Sequence, residues 1–268
     1  MTTLQPLADW PHNVRAGLKG VFADIDDTLT TDGRVPSGVY LAMEKLRQRG
    51  LLVMPVTGRP AGWCDMIART WPVDAVVGEN GAMAFCYDGA SQQMRRLYMD
   101  PPDVRLENRQ RLELIKDDVI KSVSGVRVAA DQPYRETDLA IDFNEDVRGL
   151  PEAAIDETVA IFDKHGATAK VSSIHVNGWF GDYDKLTTTK HLMTQFFDVS
   201  LDDDADAYAY IGDSPNDAPM FGFFANSVGV ANLMALQDRC PALPAWITPS
   251  ARSVGFVEMA DAILDAVK

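Results

Sequence analysis

Asp24-Ile25-Asp26-Asp27-Thr28 follows the apolar run Gly20-Val21-Phe22-Ala23, and here the chain gathers groups able to do chemistry. A strand alternates its side chains with period two, so Asp24 and Asp26 emerge on one face while Ile25 and Asp27 face away. Two carboxylates at the carboxyl end of a buried strand repel each other and demand a cation. Ligands in open α/β sheets gather at that same edge. One carboxylate could attack phosphorus while the other handles a proton, and the spacing permits either assignment. An acidic helix-entry turn with a Thr cap would explain the same residues without chemistry, so the reading rests on what lies downstream.

Three downstream segments supply partners. The buried-strand run Leu51 to Val56 ends in Thr57-Gly58-Arg59-Pro60. A Thr followed by Gly at a strand terminus offers an anion a hydroxyl and a closely approaching backbone N–H. Asp184-Lys185 opens a helical stretch through Phe197, and a lysine there can reach a phosphate site. Ala207 to Ile211 runs into Gly212-Asp213-Ser214-Pro215-Asn216-Asp217, where Pro suits the first turn of a helix and the two aspartates lie four apart around it. A capping aspartate would account for Asp213 but not for Asp217.

In order along the chain, DIDDT, TGR, DK and GDSPND resemble the four motifs of the haloacid dehalogenase-like superfamily of phosphohydrolases. Val76-Val77-Gly78-Glu79-Asn80-Gly81-Ala82 further resembles the Cof-type, sucrose-phosphatase-like subgroup (subfamily IIB), with its sucrose-phosphate, mannosyl-phosphoglycerate and trehalose-phosphate phosphatases and its phosphomannomutases. The resemblance implies that Asp24 is the nucleophile, forming an aspartyl-phosphate, and that Asp26 is the general acid and base. It implies a metal held by side-chain oxygens of Asp24 and Asp213 and by the backbone carbonyl of Asp26, with Asp217 in or just behind that set. Oxygen-only ligands beside a phosphate favour Mg2+. Thr57 and the Gly58 amide are then expected to hold phosphate oxygens, and Lys185 to neutralise developing charge. Asn216 is expected to orient phosphate or metal-bound water, and Thr28 to stabilise the loop after the first motif. Asn80 is a further candidate, since it leaves the sheet at its active edge.

Length and composition bound the rest. A chain of 268 residues predicts about two domains, and 46% hydrophobic composition is ample for packed cores. A formal net charge of −14 argues against a nucleic-acid or anionic-membrane partner. Any anionic substrate must therefore be drawn by a bound cation and local basic groups. Cys64, Cys86 and Cys240 are odd in number and widely spaced, which fits a reducing compartment. Met1 to Pro11 has no basic flank before an apolar run, and no apolar stretch is long enough to span a membrane. These features lead to the expectation of a cytoplasmic protein.

The pattern up to residue 82 reads as β–α units, with strands near 20–25, 51–56 and 74–77 and helices near 37–49 and 61–70. It predicts a doubly wound, Rossmann-like parallel sheet. After Gly81 the pattern changes. A hairpin is expected around Asp88-Gly89, then a helix at 103–122 with Val104, Leu112, Ile115, Val119 and Ile120 on one stripe. Strands near 125–130, 138–143, 167–171 and 174–180, with a helix at 151–165, suggest an α+β module. The expected division is a core of 1–82 and 183–268 with an inserted α+β cap at 83–182, hinged near Gly81 and Gly181. A cap at this point matches the resembled subgroup.

Specificity is expected on the cap, where Arg135, His175 and Asn177 could face the cleft. The function implied is Mg2+-dependent hydrolysis of a small phosphate ester, most simply a sugar or polyol phosphate. The alternative is a phosphomutase that grips a second phosphate with cap arginines, drawn from residues 95, 96, 105, 109, 111, 127, 135 and 148.

Overall fold

The computed structural model of the chain describes residues 4–267; Met1 to Thr3 and Lys268, the outermost residues of the expected core segments, lie outside the described residues. In chain order the first strands are β1 (Gln5–Pro6), β2 (Gly20–Ala23), β3 (Leu52–Pro55) and β4 (Val76–Gly78). All four residues of β2 are buried, as a strand covered on both faces must be. Helices Ser37–Gln48 and Ala61–Thr70 link β2 to β3 and β3 to β4. The hairpin strands are β5 (Met83–Asp88) and β6 (Gln93–Tyr98). Then follow β7 (Arg127–Val128), β8 (Asp138–Asp142), β9 (Thr168–Val171) and β10 (His175–Trp179). The tail adds β11 (Tyr208–Gly212), β12 (Asn226–Gly229) and β13 (Trp246–Ile247).

The main sheet has the order β1-β13-β12-β11-β2-β3, and every neighbouring pair is parallel. Within it Ala23 pairs with both Ile211 and Pro55, so the segments after β2, β3 and β11 leave the sheet at one level. That alignment is what brings the first, second and fourth motif segments together. The expected strand at 20–25 stops at Ala23, although Asp24 N–H still donates to Ile211 O at 2.9 Å.

The boundary expected at residue 83 falls inside a sheet. β5 pairs with β4, and β4 touches the main sheet through a parallel bridge between Val56 and Val77. The hairpin thus extends the core edge before the chain departs. The separate four-stranded antiparallel sheet, β7-β8-β10-β9, carries the cap. It has its own core: Leu112, Ile115 and Val119 of helix Pro102–Ser122 and Phe162 of helix Glu152–Lys164 meet Leu139, Ile141 and Val176. Two members of the expected stripe stay out of it, Val104 at 36% and Ile120 at 47% exposure.

The two connections between cap and core are tightly packed. Gly81 has φ +110°, and a Cβ there would lie 2.1 Å from the Asp184 carbonyl oxygen. Only glycine lets the chain leaving β4 touch the entry of helix Lys185–Phe197. The Thr188 hydroxyl closes the contact by donating to Gly81 O. Among the described residues, no helix is long and apolar enough to cross a membrane.

Candidate active site

Ligand oxygens of Asp24, Asp213 and Asp217 lie within 4.8 Å of one another, and all three side chains are buried. Lys185 enters this cluster from the first position of its helix. The N-cap Asp184 fixes that start by accepting from Thr187 N–H at 2.7 Å. Lys185 Nζ then donates to Asp24 Oδ1 and to Asp217 Oδ1, each at 2.6 Å. Burial opposes the Lys185 charge, but Asp217 and Asp24 overcome it and hold the ammonium above the ordinary lysine range. Burial pushes the Asp24 carboxyl up to about 8; Lys185 pulls against this rise, and Asp217 and Asp26 add to it.

Asp217 plays a different part from its two neighbours. Oδ1 accepts from Lys185 and the Tyr210 hydroxyl, while Oδ2 accepts from the N–H groups of Asp213 and Ser214 at 3.0 and 3.1 Å. Four donors satisfy it, so it braces the loop and holds Lys185. Asp213 is less satisfied. Its Oδ2 accepts from Asn232 Nδ2 at 3.1 Å, but its buried Oδ1 has no hydrogen-bond partner among the described residues. Burial, then Asp24 and Asp217, raise its carboxyl well above the usual range. An orphaned carboxylate oxygen beside a second raised carboxyl is the environment a hard cation fits, with oxygen donors only.

Asp26, expected beside Asp24, has its side chain bound elsewhere. Arg59 grips it with Nε at 3.0 and 2.9 Å and with Nη2 at 2.7 Å. Both aspartates still line one small cavity, together with Gly58, His175, Asn177 and Asn216. Among the described residues none donates a hydrogen bond to Asp24 Oδ2, so a carboxylate oxygen stays open on the residue that lines this cavity. Thr57 is fully buried, and its hydroxyl accepts from Arg59 N–H at 3.0 Å. Asn216 donates to Asn80 Oδ1 at 3.2 Å, leaving the buried Asn80 Nδ2 without a partner. A Cβ on Gly58 would lie 3.0 Å from that same nitrogen, so the Thr57-Gly58 turn and Asn80 pack against each other.

One expectation is refined and one corrected. Thr28 is buried in the loop, where its N–H donates to Ile25 O at 3.3 Å, but its hydroxyl has no partner among the described residues. Thr30 adds a side-chain brace, its Oγ1 accepting from Asp27 N–H at 2.9 Å and so supporting Asp27 at φ +54°. Arg135 does not face the cleft. Its side chain is fully buried, paired with Asp131 and Asp138, and it donates to Gly58 O at 2.8 Å. It fastens cap to core from within. His175 and Asn177 do line the cavity, because β10 turns its odd-numbered residues away from Val176 and the cap core. Asn177 also donates to Asp138 Oδ2 at 2.9 Å.

Sequence reasoning missed three members. Asn232 ties Asp213 to the Asp27 carbonyl, accepting in turn from Arg252 N–H. Arg59 was visible in TGR, but nothing local marked its partners. Glu145 arrives from the cap on a loop held by Asp142, whose carboxylate accepts from the N–H groups of Asn144, Glu145, Asp146 and Val147. Beyond Asp26 and Arg59 lies a second cavity of about 170 Å³, walled also by Asp27, Glu145, Arg148 and Arg252.

A sequence model described as haloacid dehalogenase-like hydrolase matches residues 21–106, the segment holding DIDDT and TGR. Over that segment the sequence is similar to haloacid dehalogenase-like hydrolases, and over nearly the whole chain the fold is similar to that of solved structures. The haloacid dehalogenase-like fold is shared with sucrose-phosphatase from Synechocystis, solved with sucrose and phosphate. That match has a TM-score of 0.63 at 16% identity and covers 92% of this chain and 98% of that one. The C-terminal domain of trehalose-6-phosphate phosphatase from C. albicans matches with a TM-score of 0.70 at 11% identity, covering 99% and 98%. A Thermoplasma acidophilum protein matches with a TM-score of 0.67 at 16% identity, covering 92% and 98%. None of the curated proteins matches the sequence.

Proposed function

We propose that the chain is a Mg2+-dependent phosphatase that hydrolyses a small sugar or polyol phosphate through an aspartyl-phosphate. The observation that carries this reading is Asp24. Lys185 holds one of its oxygens at 2.6 Å, and the other is free on a residue lining a cavity shared with Asp26, Gly58 and Asn216. In the first step the free Asp24 oxygen attacks phosphorus and the ester P–O bond breaks. Asp26 gives its proton to the leaving oxygen. In the second step Asp26 takes a proton from water, whose oxygen attacks the same phosphorus and releases inorganic phosphate and the Asp24 carboxylate. Lys185 offsets charge on the equatorial oxygens, and the Gly58 and Asn216 groups orient them. Asp24 and Asp213 would hold Mg2+, which supplies Lewis-acid charge stabilisation when bound.

The neighbouring cavity of about 170 Å³ is smaller than the roughly 300 Å³ at which drug-sized ligand sites begin, which suits a small polyhydroxyl leaving group. Against the mutase alternative, several candidate arginines are engaged within the protein, while Arg148 does line this cavity. Arg95 stacks on Phe196, Arg96 pairs with Asp65, Arg105 pairs with Glu136, and Arg111 stacks on Phe180. Phosphate release from a panel of sugar and polyol phosphates tests the proposal. Release from at least one member, lost with a chelator and regained with Mg2+, is expected. Transfer of phosphate to a second position without release would support the mutase.

A pH effect follows from the raised Asp24 and Asp213 carboxyls. A carboxyl with a raised pKa in the folded state adds stability below its unfolded value, near 3.8, and loses that contribution as pH rises through its folded value, which for Asp24 is about 8. Mg2+ takes the place of the proton, so its effect on melting temperature should be larger at pH 8.5 than at pH 6. Thermal melts with and without Mg2+ at the two pH values check this.

A further inference from the structure

The Arg59 guanidinium is bound by three carboxylates from two parts of the molecule. The core supplies Asp26, gripped through Nε and Nη2. The cap supplies Asp131, 3.2 Å from Nη1, and Glu145, whose oxygens lie 2.7 Å from Nη2 and 3.3 Å from Nη1. Arg59 is only 3% exposed, and its guanidinium lies 4.5 Å from the Trp63 ring centroid. The cap also holds the preceding residue, because Arg135 donates to Gly58 O while pairing with Asp131. A guanidinium is a rigid planar fork, so it cannot satisfy the cap carboxylates and Asp26 independently.

From this arrangement we propose that Arg59 is a positioning residue that makes the placement of Asp26 depend on the seating of the cap. The inference rests on the phosphatase reading, in which Asp26 protonates the leaving oxygen. Seating the cap brings Glu145 and Asp131 onto Arg59, and the fork then presents the Asp26 carboxyl at the wall between the two cavities. Both cavities include Asp26 and Arg59 in their lining, so that wall is where phosphoryl group and leaving group would meet. An unseated cap leaves Asp26 unaligned and the leaving oxygen without its proton donor. Misplacement by about 1 Å is enough to cost about 10²-fold in rate.

The test uses the dependence on leaving group. A p-nitrophenolate leaves without help, whereas an alkoxide such as glycerol needs the Asp26 proton. Arg59→Met should lower kcat/KM for glycerol phosphate by about 10²-fold or more, and for p-nitrophenyl phosphate by less than about 10-fold. Glu145→Gln, which leaves Arg59 and Asp26 in place, should shift the aryl-to-alkyl ratio in the same direction by a smaller factor. Arg59→Lys should fall between Arg59→Met and wild type. Glu145 has 30% of its side chain exposed, so Glu145→Gln decides the question even where Arg59→Met fails to fold. An unchanged ratio in Glu145→Gln, or equal losses on both esters in a folded Arg59→Met, overturns the proposal. A wild type that hydrolyses neither these esters nor any in the sugar phosphate panel overturns the phosphatase reading itself.

Discussion

Replacing Asp24 with Asn is expected to lower hydrolysis of every phosphate ester by on the order of 10⁴-fold or more, while the fold holds or gains stability. Loss and gain have one origin. Asp24 is buried beside Asp213 and Asp217, and its carboxyl is pushed up to about 8. Keeping it ionised costs folding free energy, and an amide of the same shape removes that charge while still accepting from Lys185. The same amide cannot attack phosphorus and is a neutral metal donor. Steady-state kinetics and a thermal melt on one preparation give both numbers. Near-normal turnover with p-nitrophenyl phosphate would show that Asp24 is not the nucleophile.

Lys185→Met is expected to have the opposite balance, losing stability and activity together. Lys185 is 1% exposed and is the cation shared by Asp24 and Asp217. Removing one partner of a buried ion pair leaves uncompensated charge, at about 3–5 kcal/mol. Loss of a charge-stabilising group should lower the rate by about 10²–10³-fold as well. Adding Asp24→Asn to Lys185→Met should restore part of the stability and none of the rate. Urea unfolding checks the first value; a loss below about 1 kcal/mol would mean that Lys185 is not the counter-charge of this cluster.

Much of this centre is legible in the sequence because its parts obey local rules. Asp24, Thr57 and Asp213 each follow an apolar strand, and parallel pairing must bring such strand ends to one edge. Lys185 follows a capping aspartate at a helix start, which sets its direction before any tertiary contact is known. Residues that answer to distant partners are not legible in this way. Arg59 meets Glu145 across 86 residues, and Asn232 meets Asp27 across 205. Arg135 looked available for substrate because an arginine is ordinarily solvated. Asp131 and Asp138, four and three residues away, bury it instead. The hairpin after Gly81 showed its own register but not its neighbour, so the sheet's continuation through β4 and β5 could not be read from it.

The central claim is that Asp24 carries the phosphoryl group. Acid quenching during turnover of a ³²P-labelled substrate, followed by peptide mapping, tests it most directly. The account predicts an acid-stable, base-labile acyl phosphate on the peptide containing Asp24, absent from Asp24→Asn and accumulating when Asp26 is replaced by Asn. Turnover with no label on the protein, or with label on any other residue, would contradict it.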